Sequence, residues 1–228
     1  MVCCCTSFRT SNNLRAFVHG GVCRFTETCF VDCFDTRVET VGMPSLGHRL
    51  SLAWARGKVS HIDHLLPDTG SILDIGSGRG VVTSILRDRG FVVTPLDVRD
   101  RSMERELAPV VYDGTVIPFP DDAFDCALLL TVLHHTPDPD AVLREASRVA
   151  RRIIIIEDVY TNTLQKYLTF FTDSLFNLEF RGHPHSNRTD AEWRRTFERL
   201  GLTLAADEVV EKRVLLLYRQ VAYGLTRP

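Results

Sequence analysis

The sequence predicts a doubly wound α/β domain: a mainly parallel sheet of seven strands with helices on both faces, finished by an antiparallel hairpin. Three observations lead there. From Ser45 onward, short apolar runs alternate with amphipathic helical stretches, the pattern of a layered α/β fold. The run "RRIIIIEDV" is apolar on both faces, as a central strand of a parallel sheet must be. The last two strand-like segments, "LTLAADEVV" and "RVLLLYRQVAYGL", leave too few residues between them for the crossover that parallel strands require.

The elements follow in order. Leu50, Trp54, Val59, Ile62, Leu65 and Leu66 form a broken apolar stripe on a first helix, stopped by Pro67. "SILDI" is a buried strand, and "GVVTSILRDRG" a helix closed by Gly90. "FVVTPLD", the short "APVVYDG" and "AFDCALLLTVL" are the next three strands. "DPDAVLREASRVA" is a helix with acidic residues in its first turn, where the helix dipole favours them. The four-isoleucine strand, the helix "DAEWRRTFERLG" and the hairpin complete the domain.

The 228 residues suit one domain of ordinary size. Residues 1–42 show no sustained periodicity and are expected to be a cysteine-containing tail, poorly ordered or preceding a true start at Met43. Residues 43–228 are then the domain, with 160–188 as an inserted lid. The net charge of −2, with scattered arginines, offers no footprint for nucleic acid. No apolar run approaches the ~20 residues that span a bilayer, and the N-terminus lacks the core of a secretory signal, so the cytoplasm is expected. Cys3, Cys4, Cys5, Cys23, Cys29 and Cys33 match no zinc-ligand spacing, and no metal site is expected. Cys126 is expected in the core.

The glycine turn "LDIGSGRG" carries the chemistry. It has no Gly-Lys-Ser/Thr ending, so it is not a phosphate-gripping loop. The third glycine, Gly80, comes one residue too soon for a dinucleotide fingerprint, whose last position holds Val81. Asp97, ending the second strand, suits the ribose of any adenosine cofactor.

With "LDIGSGRG", Asp97, "DGTVIPFPDDAFDCALLLTVLHH" and "PDPDAVLREASRV" in this order, residues 48–222 resemble the class I S-adenosylmethionine-dependent methyltransferases. The likeness is to their small-molecule branch, often called methyltransferase type 11, whose sheet is Rossmann-like. The resemblance implies S-adenosyl-L-methionine as cofactor. It gives Asp74 to the cofactor's amino group, Gly76 and Gly78 to its amino-acid portion and Asp97 to the ribose hydroxyls. Asp113 goes to the adenine amino group, Val98 and Gly114 flank the adenine ring, and Thr131 lines the pocket with its backbone. Bare backbone N–H groups at the turn are expected to face the cofactor.

Candidates for the chemistry sit at the carboxyl ends of strands four and five, where open α/β sheets bind ligands. They are His134 as a base, His135 as a substrate contact, and Glu157, which with Asp158 either orients the acceptor or caps the next helix. The lid stripe Leu164, Tyr167, Leu168, Phe171, Leu175 and Phe176, with Phe170 and Phe180 beyond it, suits an apolar or aromatic acceptor or transient membrane contact without stable insertion. His183 and His185 could face the pocket. The expected activity is methyl transfer to a small molecule at oxygen, nitrogen or carbon. The alternative is a non-catalytic or regulatory S-adenosylmethionine-binding protein on the same fold. The sequence fixes no oligomeric state.

Overall fold

The computed structural model describes residues 46–161, 165, 167, 186–214 and 218–227, all within the unit Pro44–Pro228. The expected tail at 1–42 with its six cysteines lies outside the described residues. So does most of the expected lid, including Phe170, Phe180, His183 and His185.

Strands β1 (Ser71–Ile75), β2 (Val92–Asp97), β3 (Val110–Val111), β4 (Phe124–Leu130), β5 (Ala150–Val159), β6 (Thr203–Val214) and β7 (Tyr218–Thr226) form one sheet in the order β3-β2-β1-β4-β5-β7-β6. The first five pair in parallel, and β7 runs antiparallel to both β5 and β6. The doubly wound sheet with a terminal hairpin is therefore as expected. Its last turn is displaced: Arg213 and Val214 belong to β6, paired with Arg219 and Tyr218, and do not open the final strand.

Helices α1 (Leu46–Ile62) and α2 (Val81–Asp88) contribute Val59, Ile62 and Leu86 to an apolar cluster with Ile72, Leu128, Ile154 and Ile156. Helices α3 (Pro139–Val149) and α4 (Asp190–Arg199) contribute Leu143, Ala146, Trp193 and Phe197 to a second cluster with Leu73, Leu129, Ile153 and Ile155. Alternate residues of one strand thus serve opposite layers, as strand geometry requires. The first helix departs from its expected stripe. Val59, Ile62 and Leu65 are buried, but Leu50 and Trp54 are 62% and 45% exposed.

Local chemistry sets the helix starts. Asp138 caps α3 by accepting from the Ala141 N–H at 3.0 Å, with Pro139 in the first turn. Thr189 and Glu192 form a reciprocal capping box on α4, and losing such a cap costs about 1 kcal/mol. On α3, Arg148 donates to the carbonyls of Ile117 and Phe119, while Glu145 accepts from the Ile117 N–H at 2.8 Å. That pair fastens the segment after β3 to the body of the sheet.

Candidate active site

The site is assembled at the carboxyl ends of β1, β2, β4 and β5. Asp74 lies within β1, between Pro95 of β2 and Leu128 of β4, and is only 3% exposed. Thr83 of α2 donates to its Oδ2 at 2.6 Å. Burial pushes the Asp74 carboxyl up to about 6, against the opposing pull of Thr83 and the Lys58 ammonium.

Beyond β1 the chain turns through three glycines with different tasks. A Cβ added at Gly76 would fall 2.6 Å from Val132 Cγ2, and one at Gly80 would fall 2.7 Å from Leu107 Cβ. Those two admit neighbouring side chains. Gly78, with φ of 56°, has nothing within 4 Å of the position its Cβ would take, so its open side faces free space. The N–H groups of the turn are not bare, contrary to expectation. Gly76 and Ser77 donate to Leu96 O, Gly80 to Ser77 O, and Gly78 to Asp97 Oδ2 at 2.8 Å. A tight turn satisfies its own donors before any ligand arrives. The Ser77 hydroxyl, by contrast, is buried and has no hydrogen-bond partner among the described residues.

Asp97 uses one oxygen for Gly78 and the other for the Arg99 N–H at 3.2 Å, leaving acceptor capacity on both. Val98 and Gly114 are adjacent, since a Cβ at Gly114 would lie 3.3 Å from Val98 Cγ1. Asp113 is exposed, and its Oδ1 accepts from the Thr115 N–H, the Thr115 hydroxyl and the Val116 N–H. These bonds to Thr115 and Val116 hold its carboxyl below the usual range.

Thr131 follows β4 with φ of 62°, a conformation that a β-branched side chain rarely adopts. Two bonds hold it. Its N–H donates to Ile156 O at 2.7 Å, and Lys58 of α1 donates to Thr131 Oγ1 at 2.6 Å and to Leu130 O at 3.1 Å. Lys58 was invisible to sequence reasoning: one lysine on a helix has no partner until the helix is placed against the strand end.

His134 and Glu157 form a closed pair. Their exposures are 2% and 0%, and His134 Nδ1 lies 2.6 Å from Glu157 Oε2. Glu157 Oε1 accepts from the N–H groups of Val132 and Leu133, so the carboxylate folds the loop after β4 around itself. His135 is half-buried, its ring centroid 4.0 Å from that of His134. Asp158, next to Glu157, turns to the opposite face and receives Gln220 Nε2 at 2.9 Å. Cys126 is fully buried in the core. A concavity of about 720 Å³ among Arg188, Glu192, Arg195, Thr196, Glu198 and Arg199 runs along α4 and includes none of these site residues.

Comparison with known proteins follows this geometry. Residues 73–153 match the family model described as a methyltransferase domain. A ubiquinone biosynthesis O-methyltransferase of Paramagnetospirillum magneticum is 30% identical over 86 residues, 34% of each chain. A demethylmenaquinone methyltransferase of Corynebacterium kroppenstedtii is 28% identical over 54% of this chain and 55% of its own. The chain thus spans about a third to a half of the length of these curated relatives. Among solved structures, a SAM-dependent methyltransferase of Methanosarcina mazei superposes with a TM-score of 0.57 at 19% identity, covering 73% of this chain and 96% of that one. The geranyl diphosphate C-methyltransferase of Streptomyces coelicolor, in complex with S-adenosyl-L-homocysteine, gives 0.58 at 16% identity, covering 79% and 80%.

Proposed function

We propose that this chain, which belongs to the class I S-adenosylmethionine-dependent methyltransferases, transfers the methyl group of S-adenosyl-L-methionine to a small apolar or aromatic acceptor. The observation that carries this reading is the open side of Gly78 beside the Asp97 carboxylate, at the end of a sheet with the order β3-β2-β1-β4-β5-β7-β6. The residues present fit the cofactor. The partnerless Ser77 hydroxyl awaits a polar group, and the spare lone pairs of Asp97 suit two ribose hydroxyls. When bound, S-adenosylmethionine supplies a methyl group on a positively charged sulfur, already activated for displacement.

The chain's own task is therefore alignment and exclusion of water. Asp74 would meet the ammonium end, a cation that favours ionisation of its buried carboxyl. Gly78 would let the backbone approach the amino-acid portion, while Gly76 gives room to Val132. Val98 and Gly114 would border the adenine, Asp113 would accept from its amino group, and Thr131 would line the pocket with its backbone. His134 and Glu157, closed on each other, would hold the loop that carries His135 toward the acceptor.

A small apolar acceptor rather than nucleic acid is supported by the net charge of −2. The relatives' names, which speak of quinones and of geranyl diphosphate, support it too. No helix among the described residues is long and apolar enough to cross a membrane. A cytoplasmic setting with at most transient membrane contact belongs to the same reading. Calorimetric titration with S-adenosylmethionine and, separately, NADH tests it. Binding of the first alone, lost in Asp97→Ala with the fold retained by circular dichroism, is expected. Folded wild type that binds neither overturns it.

A further inference from the structure

Thr131 leaves β4 in an unfavourable way. Its φ of 62° belongs to the left-handed region, where a β-branched side chain crowds its own backbone. The sheet records the change of direction. The β4–β5 pairing ends at Leu130–Ile156, and Thr131 N–H donates the last bond, to Ile156 O at 2.7 Å. Past that point the chain leaves β5, and none of the described backbone bonds reaches the Thr131 carbonyl. The same turn brings Thr131 to the glycine loop. Asp74 and Ile75 of β1 pair with Leu128 and Leu129 of β4, so the residues after β1 stand against those after β4. Gly76 accordingly gives its open side to Val132, the neighbour of Thr131.

Strain of this kind persists only where the surroundings enforce it. Lys58, 73 residues away in the chain, reaches both sides of the strained bond. Its Nζ donates to Thr131 Oγ1 at 2.6 Å and to Leu130 O at 3.1 Å, and the Thr131 hydroxyl donates to the same carbonyl at 2.6 Å. The Leu130 carbonyl sets the peptide plane before Thr131, and Oγ1 sets its side chain. Holding the two together restrains the torsion between them, which is φ. An ammonium has donors enough for both oxygens, and its charge strengthens each bond. The lysine stands on a firm base, since Ala55, Val59 and Ile62 on the adjoining turns of α1 are buried.

We propose that Lys58 is a positioning residue for cofactor binding. It holds Thr131 in the left-handed conformation that shapes the pocket against the amino-acid portion of S-adenosylmethionine. This deepens, and rests on, the methyl-transfer reading. The ligand meets a backbone already in place, so the strain is present in the free protein and does not weaken binding. Lys58 acts through Thr131 and not on the ligand. Its effect must therefore vanish when residue 131 takes a positive φ without help, as glycine does.

Calorimetric titration of the full chain with S-adenosylhomocysteine makes the test, with 5′-methylthioadenosine, which lacks the amino-acid portion, as control. Lys58→Met is expected to weaken S-adenosylhomocysteine binding by about ten- to a hundredfold, the scale of restoring one strained residue on binding. Its affinity for 5′-methylthioadenosine should match that of wild type. Thr131→Gly alone should weaken S-adenosylhomocysteine binding, because a flexible glycine must be ordered, and adding Lys58→Met to it should weaken binding no further. That second comparison stands even where Lys58→Met alone fails to fold. A full additional loss in the glycine background overturns the proposal, since Lys58 then acts on the ligand or through another residue. Equal weakening of both ligands by Lys58→Met, or weakening of neither, overturns it as well. Failure of wild type to bind S-adenosylhomocysteine strikes the methyl-transfer reading instead, and is seen before any variant is made.

Discussion

Asp74→Asn isolates the electrostatic strain held in β1. The carboxyl rises from 3.8 to about 6 on folding, because burial disfavours the charged form more than Thr83 and Lys58 favour it. Roughly 2 units at ~1.4 kcal/mol each amount to about 3 kcal/mol against the ionised folded state. A raised carboxylate binds protons more tightly when folded, so its contribution to stability is complete below pH ~4 and is lost as pH climbs through ~6. Asparagine keeps the shape and cannot ionise. The variant should therefore match wild type near pH 4 and exceed it by about 3 kcal/mol at pH 8, or roughly 6–12 °C in melting temperature for a chain of this size. Thermal unfolding of the ligand-free chain at half-unit pH steps makes the comparison. The variant should also bind S-adenosylmethionine more weakly despite its greater stability. A stability difference that does not change between pH 4 and pH 8 refutes the reasoning.

Gly76→Ala should destabilise the chain by about 2–4 kcal/mol in urea titrations, since its Cβ meets Val132 at 2.6 Å with φ at 72°. Gly78→Ala, with open space at the same position, should cost only about 1–2 kcal/mol and show its main effect on cofactor affinity. Glu157→Leu leaves the Val132 and Leu133 N–H groups without an acceptor and should cost about 3 kcal/mol or more by chemical denaturation. Lys58→Met should destabilise the chain through Thr131. Combined with Thr131→Gly, which relieves the backbone, its effect on melting temperature should shrink to a fraction of its value alone.

The central strands β1, β4 and β5 were legible because they are buried on both faces, and apolar runs such as Ile153–Ile156 have no other use. The amphipathic α3 announced itself by the acidic residues of its first turn. What escaped the sequence depends on distance in space. Leu50 and Trp54 share the helical spacing of Val59 and Ile62, but spacing does not say which turns of a helix are covered. Gly76 and Gly78 are the same letter in the same motif, separated only by what their absent side chains would touch. His134 and Glu157 read as two independent reactive groups, yet 23 residues apart in sequence they close on each other. The expected bare N–H groups of the turn are instead bonded to Leu96, Ser77 and Asp97.

Glu157 and Asp158 are consecutive in the chain and work on opposite sides of the sheet, one shaping the loop with His134 and the other paired with Gln220. Their roles are thus assigned by parity, odd to one side and even to the other, and the assignment is kept by the alignment of β5 with β7 from Arg152–Thr226 to Val159–Arg219. A single inserted or deleted residue between Ile153 and Ile156 would leave both acids in the sequence while exchanging their sides. Evolution along this strand is then confined to changes that preserve its count, and an active relative should differ here by substitution, not by length.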